Sequence, residues 1–240
     1  MKTLFRYRLL DALKSLAALI AILSLTPLLL SITIAGPSMT MSGTGTFVGS
    51  IWALVIGIVV LRGDLRLGNQ FGLSRRSSFW GSVLSSTAAF AATSVVLSLL
   101  TASLQILNQG WGIGPTVMDI YQLVYCDFNS DVMPVWDYVR MACMLFAMCL
   151  FFGFFGMLCT MAFWRLNKLG KWVLGVGMGL FLGVGLPNLA YRFSPWLQRP
   201  VRILASNVWV LIAFLLVWAA VFLLGTWLLA RRATITPAAK

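Results

Sequence analysis

The residues that could do chemistry in this chain are few, and the ones it lacks narrow the reading most. It contains no His and no Glu, and its acidic residues are Asp11, Asp64, Asp119, Asp127, Asp131 and Asp137. Without His there is no Ser-His-Asp triad and no HExxH zinc site, and without Glu the commonest carboxylate base is missing. A Gly-x-x-x-x-Gly-Lys-Ser/Thr phosphate loop is also absent, so the chain is expected to have no ATPase activity of its own. Cys143, Cys149 and Cys159 fall in one apolar run and Cys126 in a loop, with neither CxxC nor Cys/His spacing, so no metal site and no disulfide framework are expected. Asp119, Asp127, Asp131 and Asp137, in a 108–137 loop expected on the outer side, match no calcium loop, and a solvated surface is their expected fate, with salt bridges to Arg192, Arg199 or Arg202 as an alternative.

The elements carrying these residues follow from composition. Apolar residues make up 60% of the 240 positions and charged residues only 10%, more apolar surface than a soluble domain of this length can bury. Continuously apolar runs favour helices over barrel strands, which would alternate. The expected fold is all-α, a single transmembrane domain over 1–240 with six transmembrane helices near 15–35, 46–61, 79–107, 138–163, 172–190 and 208–230. The first run begins like a signal peptide, but it is long and Thr33-Ile34-Ala35 is a poor cleavage signal, so it is read as a retained span. Pro187, Pro195 and Pro200 around Trp196 favour a broken or re-entrant segment between the last two spans.

The formal charge of +12 would suit nucleic acid only if it formed a patch, and the 18 Lys and Arg are scattered between apolar runs. They fall mostly in the N-terminus (Lys2, Arg6, Arg8, Lys14), the second-to-third connection (Arg62, Arg66, Arg75, Arg76), the fourth-to-fifth connection (Arg165, Lys168, Lys171) and the tail (Arg231, Arg232, Lys240). The positive-inside rule then makes both termini cytoplasmic, with Arg140, Arg192, Arg199 and Arg202 against the trend.

Three segments carry candidate contacts. Over 4–16, Phe5, Leu9, Ala12, Leu13 and Leu16 share one helical face, with Arg8, Asp11 and Lys14 mostly opposite; this suits an interfacial helix, or equally a basic flank that fixes topology. Gly175, Gly179 and Gly183 recur every four residues in the fifth span, a ridge for close helix packing. In the 62–78 connection, Ser74 is placed to cap the third span, which puts Arg75 and Arg76 in a first turn whose dipole disfavours cations by about 0.3–1 kcal/mol each. An acidic protein partner or anionic lipid headgroups would offset that placement. After Pro115, Val117, Ile120, Tyr121 and Val124 fall on one face of a possible short helix.

The run Gly72-Leu73-Ser74-Arg75-Arg76-Ser77-Ser78-Phe79, between the second and third of six spans, resembles the Gly-x-Ser-Arg segment of type-2 ATP-binding-cassette (ABC) exporter permeases. The resemblance implies that Arg66, Gly72, Leu73, Ser74, Arg75, Arg76 and Phe79 dock an ATPase subunit and that residues 1–14 form an interfacial helix. It also implies two ATPase copies carrying ATP and Mg, and a second permease subunit, identical or related. The chain itself would hold no cofactor, and it would sit in a bacterial cell membrane exporting a peptide, a lipid or an amphipathic drug. An ion-coupled carrier or channel is the alternative, disfavoured because no Asp lies well inside a span. An intramembrane enzyme would need an Asp pair that only the outer loop offers.

Overall fold

The computed structural model describes residues 10–21, 40–42, 44–72, 74–111, 116–126, 132–166, 170 and 203–231. A helix over 10–21 (α1) is followed by a three-residue strand Thr40–Ser42 (β1), α2 (Thr44–Gln70), α3 (Arg75–Trp111), a second short strand Thr116–Met118 (β2), α4 (Ile120–Tyr125), α5 (Val135–Arg165) and α6 (Val208–Arg231). Among the described residues the architecture is helical apart from β1 and β2, which pair in parallel from Thr40 opposite Thr116 to Ser42 opposite Met118.

Four helices are long and apolar enough to cross a membrane: Gly45–Leu65, Arg75–Leu107, Val135–Arg165 and Val208–Arg231. They correspond to the second, third, fourth and sixth expected spans. The fifth span and most of the first lie outside the described residues, as do Phe5, Arg8, Leu9, Gly175, Gly179 and Gly183. At 33 residues the α3 span is about 50 Å long at the helical rise, against a hydrocarbon core of about 30 Å, so it tilts or projects beyond lipid. Val59, Leu99, Val217 and Leu228 stay exposed along these helices, as lipid-facing side chains would.

Contacts along the helices set their directions. α2 and α5 run in parallel, with the Cys149 thiol donating to the Gly49 carbonyl (3.6 Å) and, further along both helices, the Thr160 hydroxyl donating to the Ile58 carbonyl (2.9 Å). α6 runs the same way as α5, since Phe222 packs on Phe151 and Phe155 (both 5.3 Å) and Gly225 faces Leu158. α3 is antiparallel to them: Ser82 meets Asp64 and Phe90 meets Trp52. Leu166 and Asn207 therefore lie at opposite ends of the bundle.

The α2–α5 crossing is a backbone-to-backbone approach. A Cβ added at Gly57 would overlap the Gly153 carbonyl, and one at Gly156 would run into the Leu54 carbonyl. Small residues permit this spacing, so dispersion and weak polar contacts replace the hydrophobic drive that lipid cannot supply. The core beside this crossing gathers Leu61, Phe79, Phe90, Leu97, Cys149 and Met157, and a second cluster around Tyr121, Met141, Met144, Val208 and Ile212 fills the other end.

In α1, Ala12 and Leu16 are buried in the core, whereas Leu13 is 37% exposed. The helix runs unbroken through residue 15, where a change from interfacial to spanning segment was expected. Ala12 and Leu16, four residues apart, therefore face protein.

Candidate functional site at the arginine end of the bundle

The 62–78 segment, expected to be a loop, is mostly helix. α2 continues past the apolar run to Gln70, placing Arg66 within it, and α3 begins at Arg75. Hydropathy marks where lipid ends, whereas helical hydrogen bonding continues until a residue breaks it. Gly72 supplies that break with φ +67°, the left-handed conformation that glycine adopts without a Cβ penalty and that commonly ends helices. Two residues later Ser74 caps α3, its Oγ accepting from the Ser77 N–H at 3.2 Å. Leu73 lies outside the described residues.

The hairpin is fastened just inside the turn. Asp64 is fully buried and its Oδ2 accepts the Ser82 hydroxyl at 2.7 Å, while the Ser78 hydroxyl donates to the Asp64 carbonyl at 3.0 Å. These bonds tie the end of α2 to the start of α3. Beyond them Phe71 is 73% exposed, and Ser74, Arg75 and Arg76 are exposed with it.

Phe79, expected in the docking set, packs inward. It is 0% exposed, with its ring 5.0 Å from Trp227 and 5.7 Å from Trp80. Four residues after Arg75, it lies one turn further along α3 and packs inward against α6.

That packing builds a feature no linear reading finds. Arg75 and Arg76 of α3, Arg231 of α6, and Leu65, Trp227 and Ala230 line a cavity of about 440 Å³. Arg231 sits in the last turn of α6, where the helix dipole favours a cation, and Arg165 ends α5 at the same end of the bundle. This end thus gathers Arg75, Arg76, Arg165 and Arg231.

The opposite end corrects the expectation of solvated aspartates. Asp119 is 0% exposed. Its Oδ1 accepts the N–H groups of Thr46 (3.1 Å) and Ile120 (2.7 Å), and its Oδ2 accepts the Thr46 hydroxyl (2.7 Å). One carboxylate therefore caps α4 and the first turn of α2 together, next to positive dipole ends. Burial pushes its pKa up, and the bonds from Thr46 and Ile120 partly oppose that. The network extends through Gln122, whose Oε1 accepts from Gln105 Nε2 (2.9 Å), to the Tyr138 hydroxyl, which donates to Gln105 Oε1 (2.6 Å).

Asp137 pairs with Arg140 at 3.1 Å and accepts the Tyr121 hydroxyl at 3.2 Å. Asp127, Asp131, Arg192, Arg199 and Arg202 lie outside the described residues. In α4, Tyr121 is buried but Val124 is 45% exposed, so the two do not share a buried face. Among the described residues no three His, Cys, Asp or Glu side chains converge on a metal-sized site.

The described residues thus form a helical bundle with four helices long and apolar enough to cross a membrane and a basic face at one end. A comparison with known protein families, curated proteins and solved structures finds no match for this chain.

Proposed function

We propose that the chain is the transmembrane permease subunit of an ABC exporter, driven by a separate ATPase that docks on the α2–α3 turn. The observation that carries this reading is the turn itself. Gly72 and Ser74 end one spanning helix and start the next within four residues, leaving Phe71 exposed beside Arg75 and Arg76. An apolar tip flanked by two cations suits an acidic groove with a hydrophobic floor.

In this reading the chain has six spans and cytoplasmic termini. The parallel course of α5 and α6 supports a fifth crossing between Leu166 and Asn207. Arginines concentrated at one end support the orientation, since cations favour the cytoplasmic side. Two permease subunits, identical or related, would form the membrane pathway in a bacterial cell membrane, and two ATPase subunits would hold ATP and Mg. The cargo would be a peptide, a lipid or an amphipathic drug.

The test is affinity purification in mild detergent, with the wild type compared to Arg75→Glu/Arg76→Glu. A nucleotide-binding subunit is expected to copurify with the wild type and to be lost from the reversed-charge variant. ATP hydrolysis is expected in the assembled preparation and absent from the pure chain. Recovery of inserted wild-type protein without any nucleotide-binding partner, under conditions that preserve other membrane complexes, would sink the proposal.

A further inference from the structure

The cavity between the start of α3 and the end of α6 combines two chemistries. Its lining combines the cationic residues Arg75, Arg76 and Arg231 with the apolar residues Leu65, Trp227 and Ala230. None of its lining residues is acidic. The volume of about 440 Å³ falls within the range of small-molecule sites, about 300–1,000 Å³.

We propose that this cavity binds the headgroup of an anionic phospholipid. The phosphate would sit between Arg76 and Arg231, with the glycerol region against Trp227, Ala230 and Leu65. Guanidinium groups match phosphate oxygens with paired N–H donors, which an ammonium cannot do.

Depth in the bilayer selects a lipid over other anions. Arg75 opens one candidate span and Arg231 closes another, so the arginines stand at span ends, where a headgroup would meet them. The Trp227 ring lies 6.2 Å from that of Trp80, tilted by 39°, and Trp80 is itself 42% exposed; tryptophans are enriched at the level of lipid headgroups. A free phosphate ion would use the arginines and leave the apolar wall without a role. An acidic protein loop would approach from water, past Phe71, and would not need a wall made of residues at the ends of spans. The bound lipid would bridge α3 and α6, which otherwise meet at this end through Phe79, Trp80 and Trp227.

This inference goes beyond the transport reading and stands on the membrane assignment alone. Arg231 is outside the proposed ATPase-docking set, so Arg231→Gln separates the two ideas. The purified chain would be exchanged into equimolar phosphatidylglycerol and phosphatidylcholine, and retained lipid counted by native mass spectrometry. Each interfacial cation contributes about fivefold to association with an anionic surface. Arg231→Gln should therefore lower phosphatidylglycerol retention about fivefold, and Arg76→Gln/Arg231→Gln about thirtyfold. Arg165→Gln, at the same end but outside the cavity, should retain wild-type selectivity. Arg76 and Arg231 are both exposed, so neither substitution should impair folding, and the unfolding midpoint of each variant checks this.

Unchanged retention in the double variant would overturn the proposal, as would equal loss in Arg165→Gln. Displacement of the lipid by millimolar inorganic phosphate would reassign the cavity to a soluble anion. Loss of a copurifying protein from Arg231→Gln with lipid retention intact would reassign it to a protein partner.

Discussion

Removing the Asp119 carboxylate should separate two properties that burial combines at this position. Asp119→Ala leaves three donors unmet: the Thr46 N–H, the Thr46 hydroxyl and the Ile120 N–H, all within 3.1 Å of the carboxylate in the native protein. Hydrogen bonds to a charged group contribute about 1.5–3 kcal/mol each, but the alanine variant also escapes the desolvation of a buried carboxylate and water can reach some of the donors. The net loss is then about 2–4 kcal/mol. Asp119→Asn keeps one oxygen for the two N–H groups and places an amide against Thr46 Oγ1, which can turn to accept. Its loss should be under about 1 kcal/mol. The same comparison has a pH signature. Because burial raises the folded pKa above 3.8, the native state holds this proton more tightly than the unfolded chain. Stability from this group is therefore fully present below 3.8 and is lost as pH rises through the raised folded value. Unfolding in mixed micelles of increasing SDS fraction, repeated across acidic to neutral pH, measures both effects. Equal destabilisation by Asn and Ala would refute the hydrogen-bond account, and an undiminished pH slope in Asp119→Asn would refute the assignment of that slope to this carboxylate.

Three further outcomes are expected. Gly57→Ala forces a methyl into the Gly153 carbonyl, and because backbone must move the loss should reach or exceed about 1–3 kcal/mol in the same unfolding assay. A variant as stable as the wild type would mean that α2 and α5 cross elsewhere. Gly72→Val places a β-branched residue at φ +67°, at about 1–2 kcal/mol or more of local strain, and should reduce copurification of an ATPase subunit while leaving membrane insertion intact. Normal assembly of this variant would mean that the turn's shape does not matter for docking. Cysteines introduced at Arg231 and Asp127 of a variant lacking the native thiols should label from the cytoplasm and from outside, respectively, and labelling of both from one side of intact cells would reverse or break the proposed topology.

Composition, and neighbours within one helical turn, are what the linear chain makes legible. Apolar runs predict four of the spanning helices because lipid selects for mean hydropathy, which needs no knowledge of the partner surface. The Ser74 cap is legible for the same local reason: the bond from the Ser77 N–H closes within three residues. The limits of the helices are less legible, since α2 extends to Gln70 on hydrogen bonds that continue after hydrophobicity ends.

Whatever depends on which faces meet is settled by tertiary packing. Gly175, Gly179 and Gly183 stand out by their spacing, yet the close crossing of α2 and α5 uses Gly57, Gly153 and Gly156, because closeness is a property of two helices and periodicity a property of one. Phe79 reads as part of the docking motif because it follows Arg76 in the chain, and the turn of α3 that separates them rotates it into the core. Asp119 reads as solvated because carboxylates usually are. Only the approach of the α2 N-terminus, 73 positions away in sequence, brings the Thr46 donors that hold it in a buried site. The arginine-lined cavity likewise needs Arg76 and Arg231 together, and only the antiparallel packing of α3 on α6 brings those distant residues to one end of the bundle.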